Sequence, residues 1–411
     1  MKKLFIVSIG VLAILLAGLL NVFSSSAKAQ DHNHHVPGQI LIKFKDGVSS
    51  AEQDNVLKNN RAQVISKLDA LGVLVVEIPQ TAEEKIVTAL SRNPHVEYAE
   101  LDYIAEAFFV PNDTYFTNKQ WGLENTGQTI QGSTGTVDAD IDGSTAWETT
   151  QGGVKVAILD TGIDQDHEDV SAKVILQRNF TDSPTIDDLY GHGTHVGGIV
   201  AAITQNNLGV AGSCPNCQLM NGKVLNDSGS GAYSWIANGI TWAADSGAKV
   251  INMSLGGSVK SGTLERAVNY AWNKGVVVVA AAGNSANPSK TYPGAYINVI
   301  AVAATNNKDQ KASFSSYGAK WVDVAAPGEN IFSTFPNHPY RINKSLGYDF
   351  GSGTSMATPM TSGVAALIWS TPYGTSATTV RSRLESTADK IAGTGTYWSA
   401  GRINAAHAVA P

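Results

Sequence analysis

Val154-Lys155-Val156-Ala157-Ile158-Leu159-Asp160-Thr161-Gly162 is a run of aliphatic and β-branched residues closed by an acid and a glycine. Its near-continuous apolar character is that of a strand buried on both faces, as in a parallel sheet, and not the alternation of a half-exposed strand. Val250–Leu255, Val276–Ala280 and Val299–Val302 read the same way. Between these runs, His192–Ala202, Ala232–Asp245 and Leu264–Lys274 carry apolar residues at three- and four-residue spacing, which predicts helices. Strand–helix alternation implies a mostly parallel sheet with helices on both sides. In such sheets ligands gather at the carboxyl ends of the strands, where Asp160 stands.

The chain has 411 residues, 43% apolar and 16% charged, ample for a large core and for more than one domain. Its 29 basic and 35 acidic residues give a net charge of −6 and form no long Lys/Arg run, which argues against a nucleic-acid partner. Two cysteines cannot staple a disulfide scaffold, and the 40 glycines follow no repeat.

Met1-Lys2-Lys3, an apolar stretch from Leu4 to Leu20, and Ala27-Lys28-Ala29 have the layout of a secretory signal peptide cut after Ala29. The expectation is a secreted, extracellular protein with no membrane anchor once residues 1–29 are removed. Residues 30–108 are richer in charge and read as strand, helix, strand, helix, strand: a small α+β domain in which Gln39–Phe44 and Gly72–Ile78 are strands and Ala82–Ser91 a helix. The His32-Asn33-His34-His35 cluster reads as a polar arm and not as a metal site. The large domain is expected over 109–411.

Three segments of that domain carry chemistry together. Asp160 follows its strand; Gly191-His192-Gly193-Thr194-His195-Val196-Gly197-Gly198 opens a helix; Gly353-Thr354-Ser355-Met356-Ala357-Thr358-Pro359 places Ser355 at another helix start, with Met356, Met360, Val364 and Leu367 as the apolar face behind it. A serine hydroxyl is a weak nucleophile until a base takes its proton. His192 suits that task near neutral pH, and Asp160 would hold the imidazole in the right tautomer. A helix N-terminus offers N–H groups to an oxyanion. His195 reads as a packing residue, since His-Gly-Thr-His lacks the glutamate of a zinc protease motif.

These segments, in the order Asp…His…Ser, resemble the three signature blocks of the subtilisin-like serine proteases, the subtilases, and the likeness runs from about Pro111 to Ala408. Pro111-Asn112-Asp113, Ala267-Val268-Asn269-Tyr270-Ala271-Trp272-Asn273-Lys274-Gly275 and Ala388-Asp389-Lys390-Ile391 are similar to the thermitase branch. The resemblance implies a three-layer α/β sandwich and a broad-specificity endopeptidase acting through an acyl-enzyme on Ser355, with Asn284 donating to the oxyanion. It places substrate as an added strand between Gly229-Ser230-Gly231 and Ser254-Leu255-Gly256, with a broad apolar specificity pocket beside Ala282 and Gly283. Thr291 falls at its floor, where a smaller residue is familiar. The small first domain resembles the family's ferredoxin-like inhibitor propeptide, a folding chaperone and temporary inhibitor, with the cut between Phe108 and Phe109. Protein and peptide substrates and the chain's own propeptide are the expected partners, for a monomeric enzyme.

The resemblance also implies a structural calcium ion held by Asp113, Asp169, Asn206 and the carbonyls of Ile203, Leu208 and Val210. Asp182, Asp187 and Asp188 offer a second grouping, at a spacing that departs from the family pattern by a deletion. Met360 stands where the family commonly has histidine. Cys214-Pro215-Asn216-Cys217 admits a disulfide or two free thiols. An esterase with the same triad, or a non-catalytic binding protein on this fold, are the rival readings. The glycine segments argue against the first, and the intact triad and Asn284 against the second.

Overall fold

The computed structural model describes residues 35–104 and 110–411. The signal segment with Ala29, most of the His32–His35 cluster, and the Phe108–Phe109 bond lie outside the described residues. The chain divides into two compact units, Met1–Ala107 and Phe108–Pro411.

The first unit runs strand, helix, strand, strand, helix, strand: His35–Phe44, Ser50–Asn59, Gln63–Leu68, Val73–Glu77, Glu83–Leu90 and Val96–Tyr103. Its four strands pair antiparallel, with His35–Phe44 and Val73–Glu77 in the middle. Alternate residues Ile40, Ile42 and Phe44 are buried with Val56, Leu57 and Leu90 of the helices, so one face of the sheet carries the core. Ser49 and Glu52 cap each other across the first turn of helix Ser50–Asn59 in a reciprocal capping box. The sequence reading has three strands here and misses Gln63–Leu68. Every residue of that strand is exposed, so no buried face writes a periodic pattern into the sequence.

The second unit is built on an eight-stranded sheet. In spatial order its strands are Gly401–Arg402, Val324–Pro327, Ile300–Thr305, Val277–Ala281, Val250–Met253, Lys155–Asp160, Gln218–Lys223 and Val174–Asn179, and every pairing is parallel. The central strand is buried on both sides. Ala157 and Leu159 pack with Ile236, Ile240, Leu264 and Val268 of helices Tyr233–Asp245 and Gly262–Asn273. Val156 and Ile158 pack with Val196, Val200, Val364 and Leu367 of helices His192–Ala201 and Thr354–Trp369. This is the three-layer α/β sandwich expected from strand–helix alternation.

Helix Thr354–Trp369 departs from the sequence reading of one apolar face. Thirteen consecutive residues from Met356 to Ile368 are buried, Pro359 among them, because neighbours surround the helix on all sides. Met360 is part of that core, its methyl against Gly122. The two cysteines form a Cys214–Cys217 disulfide, fully buried. At the opposite edge of the sheet, Arg402 is clamped by Asp309, Asp389 and the Asp138 carbonyl.

Candidate active site

Asp160 is the last residue of its strand and is fully buried. Its Oδ1 accepts from the Thr161 N–H at 2.8 Å and meets His192 Nδ1 at 2.7 Å. Since a carboxylate only accepts, Nδ1 carries the hydrogen and Nε2 is left with the lone pair a general base needs. Burial opposes protonation of the His192 ring, but the charge and hydrogen bond of Asp160, with Asp188 beyond it, outweigh burial and hold the imidazole above the ordinary histidine range.

His192 begins its helix because the backbone before it turns through the left-handed Gly191, at φ 101°. A Cβ there would fall 2.2 Å from the Tyr340 ring, so the position admits only glycine. Buried Asp188, four residues ahead of His192, accepts from the N–H groups of Gly191 and Thr194 and from the hydroxyls of Thr194 and Thr161. That carboxylate fixes the first turn of the helix against the strand that carries Asp160. It does not join Asp182 and Asp187 as a metal ligand, and the second acidic grouping read from the sequence is not formed: Asp182 faces Asn226, while Asp187 faces His338.

Ser355 lies in the first turn of helix Thr354–Trp369. Ser254 Oγ donates to the Ser355 carbonyl at 2.8 Å, and Ser355 Oγ donates to the Ser254 carbonyl at 3.2 Å. Ser254 and His192 line one cleft. The Ser355 hydroxyl hydrogen is thus directed at a backbone carbonyl. Catalytic hydrogen bonds of free enzymes are commonly loose in this way and tighten with substrate.

Asn284 follows strand Val277–Ala281. Its Oδ1 accepts from the N–H and the hydroxyl of Thr354, at 2.9 and 3.0 Å. A backbone N–H can only donate, so the amide orientation is settled and Nδ2, next to Gly353, is the donor left for a ligand. Thr354 is a neighbour of the site that the sequence reading passed over although it lies inside a quoted motif, and Asp188, read there as a candidate metal ligand, instead fixes the start of the His192 helix.

The cleft, of about 460 Å³, is lined by His192, Gly229, Ser230, Gly231, Ser254, Leu255 and Gly256, with Leu225, Tyr233 and Ile236 supplying apolar wall. A Cβ on Gly231 would meet the Val224 carbonyl at 2.2 Å, and one on Gly229 the Tyr190 ring at 2.4 Å. At both positions of the Gly229–Gly231 edge the backbone is bare of side chains. Ala282 does not contribute a wall: its side chain is fully buried with Ala303, Val322, Ala325 and Trp398. The Thr291 methyl lies 2.4 Å from where a Gly256 Cβ would stand, and its hydroxyl 3.0 Å from a Gly283 Cβ, so it fills the gap between the two walls.

On the far side of helix His192–Ala201, Asp113 and Asp169 come together with the 203–210 loop. Both oxygens of Asp113 accept from Gln205 N at 3.1 Å; Asp169 accepts from Val210 N at 2.9 Å and Asn206 Nδ2 at 2.7 Å. Burial, and after it the nearby charge of Asp113, push Asp169 up to about 7. Among the described residues, the carbonyls of Ile203, Leu208 and Val210 accept no hydrogen bond, and Asn206 Oδ1 accepts one, from Leu208 N.

His195 is buried, with Nε2 at 3.1 Å from the Ile331 carbonyl and its ring against Phe335. Burial drives its pKa down to about 3, so it packs as a neutral ring.

Residues 151–401 match the subtilase family model, and residues 23–102 the fervidolysin N-terminal prodomain. The chain is 43% identical over 378 residues to the thermophilic serine proteinase of Bacillus sp. strain AK1, covering 91% of this chain and 88% of that protein. It is 49% identical over 303 residues to thermitase of Thermoactinomyces vulgaris, covering 73% and 99%. A solved protease structure from Pseudoalteromonas arctica PAMC 21717 superposes with a TM-score of 0.65 at 32% identity, covering 74% of this chain and 99% of that one.

Proposed function

The chain belongs to the subtilase family of serine proteases, and from that membership we propose that it is a secreted endopeptidase of broad specificity, made as a zymogen that cuts itself. The observation that carries this reading is the 2.7 Å contact of His192 Nδ1 with Asp160 beside a cleft with one edge of bare glycine backbone, Gly229 and Gly231. Substrate lies extended between Gly229–Gly231 and Ser254–Gly256, adding main-chain hydrogen bonds on each side. Ser355 Oγ turns to His192 Nε2, loses its proton to it and attacks the scissile carbonyl. The negative oxygen that develops is held by Asn284 Nδ2 and the Ser355 N–H. His192, now an imidazolium steadied by Asp160, protonates the leaving amine; water then retraces the path to release the acyl group. Thr291 narrows the specificity pocket against the largest aromatic side chains.

Residues 30–108 act as intramolecular inhibitor and folding aid, and the enzyme frees itself by cutting between Phe108 and Phe109. Casein hydrolysis blocked by phenylmethylsulfonyl fluoride, an N-terminal residue of Phe109 on the secreted enzyme, and retention of residues 30–108 by Ser355→Ala are the expected results. Turnover of short esters without casein cleavage would favour an esterase instead, and clean processing of Ser355→Ala would remove self-cleavage.

Asp113, Asp169, Asn206 and the carbonyls of Ile203, Leu208 and Val210 fit a calcium ion. The donors are hard oxygens, two are buried carboxylates, and the three carbonyls have unspent lone pairs. Bound calcium would neutralise the two buried acids and tie the chain near Asp113 to the loop behind the His192 helix.

A further inference from the structure

Three ligand-type side chains from distant parts of the sequence meet beside the segment that leads into His192. Asp164 follows the Asp160 strand, Asp187 precedes Asp188, and His338 sits in the 335–347 loop, between the strands Ile331–Thr334 and Tyr348–Gly351 of a hairpin. One ligand atom from each lies within 4.8 Å of the others, and among the described residues this is the one such group of three. His338 Nδ1 is 3.2 Å from the Pro339 carbonyl, which can only accept, so Nδ1 carries a hydrogen. Nε2 is shut off from solvent without a hydrogen-bond partner, 3.4 Å from Asp187 Oδ2 and 4.0 Å from Asp164 Oδ2. A neutral ring would thus aim a lone pair at two carboxylates.

A proton on Nε2 relieves only part of this. Asp166 adds a third acid through Asn337, whose side chain donates to it at 2.9 Å while its N–H donates to Asp164 Oδ2 at 2.8 Å. Lys223 gives its charge to Asp227 and to backbone carbonyls. Three acids thus gather around one imidazole, a set of ligand groups that a divalent cation would complement.

We propose that Asp164, Asp187 and His338 form a binding site for a zinc-class divalent transition ion that pins the 335–347 loop over the segments carrying Asp160 and His192. One imidazole and two carboxylates are a nitrogen–oxygen set suited to zinc, whereas calcium wants six to eight oxygens. Tetrahedral zinc ligands stand about 3.3 Å apart at zinc's bond lengths, close to the 3.4 Å between His338 and Asp187; Asp164, 4.0 Å from His338 Nε2, would move toward the ion, and water would complete the shell. The loop already touches its target, with Arg341 N on the Leu189 carbonyl and Ile342 N on the Tyr190 carbonyl, at 3.0 and 3.1 Å. An ion would turn these two hydrogen bonds into a cross-link between three chain segments.

The test uses the full protein inhibited with phenylmethylsulfonyl fluoride, stripped of metal and returned to excess calcium. Zinc is then titrated by calorimetry and cobalt by visible absorption. The site predicts about one tight zinc, a cobalt spectrum with nitrogen–oxygen ligation, and slower trypsin cutting at Arg341 and Lys344 once zinc is bound. His338→Gln should weaken zinc by at least the roughly 10–100-fold that losing even an outer partner of a metal ligand costs, and should remove the gain in melting temperature that zinc gives over calcium alone. Asp187→Asn is read in parallel should His338→Gln fold poorly. Zinc binding that survives both substitutions, displacement of zinc by calcium, or no zinc retained at all would each overturn the site.

Discussion

Thr354 donates twice to one atom: its backbone N–H and its hydroxyl both reach Asn284 Oδ1, at 2.9 and 3.0 Å. The residue next to Ser355 therefore aims the amide proposed to receive the oxyanion. Asn284→Leu should lower kcat roughly 10²–10³-fold, a range whose worked case is the relative subtilisin. Thr354→Val keeps the N–H and loses the hydroxyl, so a smaller fall, of about 10-fold, is expected with KM nearly constant. Equal losses from both substitutions would mean that the hydroxyl does more than orient.

His192 is held above the ordinary histidine range, so it stays protonated to a higher pH than a free imidazole. Only the neutral ring can act as base. The acid limb of kcat/KM should have its midpoint above the ordinary value of about 6.5. Asp188→Asn removes one of the charges that support protonation, and should shift the limb toward acid. A limb that stays in place would assign the whole effect to Asp160.

Thr291 closes the space between Gly256 and Gly283. Thr291→Gly should raise kcat/KM for peptides with Phe at the cleaved position about 10-fold relative to those with Ala, since a few buried carbons are worth roughly 1–3 kcal/mol. Comparing the two peptides on both proteins reads this directly. An unchanged ratio would remove Thr291 from the pocket.

Chelation should destabilise the protein. An ion held at 1,000 times its Kd contributes about 4 kcal/mol, lost on adding chelator. Thermal melts with and without it should differ by several degrees, and Asp169→Asn should melt low in both. An identical melt would remove the calcium at Asp113 and Asp169.

The cysteines are paired and buried. Thiol titration in denaturant without reductant should find none, and two after reduction. Closing so short a loop stabilises by about 2 kcal/mol on the chain-entropy view, so a Cys214→Ser, Cys217→Ser protein should melt lower by that order.

The sheet was legible because its strands are buried on both faces: Val156 to Leu159 has no exposed position to break the apolar run. The helices that cover it keep polar stripes, which is why Tyr233–Asp245 and Gly262–Asn273 match the periodicity closely. Strand Gln63–Leu68 was missed for the opposite reason, having no buried side to show. In the site, Asp160, His192 and Ser355 were readable only as a set. What could not be read was the engagement of each group: Asp188 bound up in capping a helix, the Ser355 hydroxyl turned to Ser254, and Asp164 brought to His338 from 174 positions away. Such pairings are made by the fold, and no local pattern of residues announces them.

A protease in concentrated solution is its own most abundant potential meal, and a peptide must come loose over several residues before it can enter a cleft like this one. Arg402, gripped by Asp309 and Asp389 and by the Asp138 carbonyl, holds the stretch around it to three separate parts of the molecule. Peeling it away would strand a buried guanidinium and two carboxylates at once. The stretch around Arg402 is therefore a poor substrate for the enzyme's own cleft.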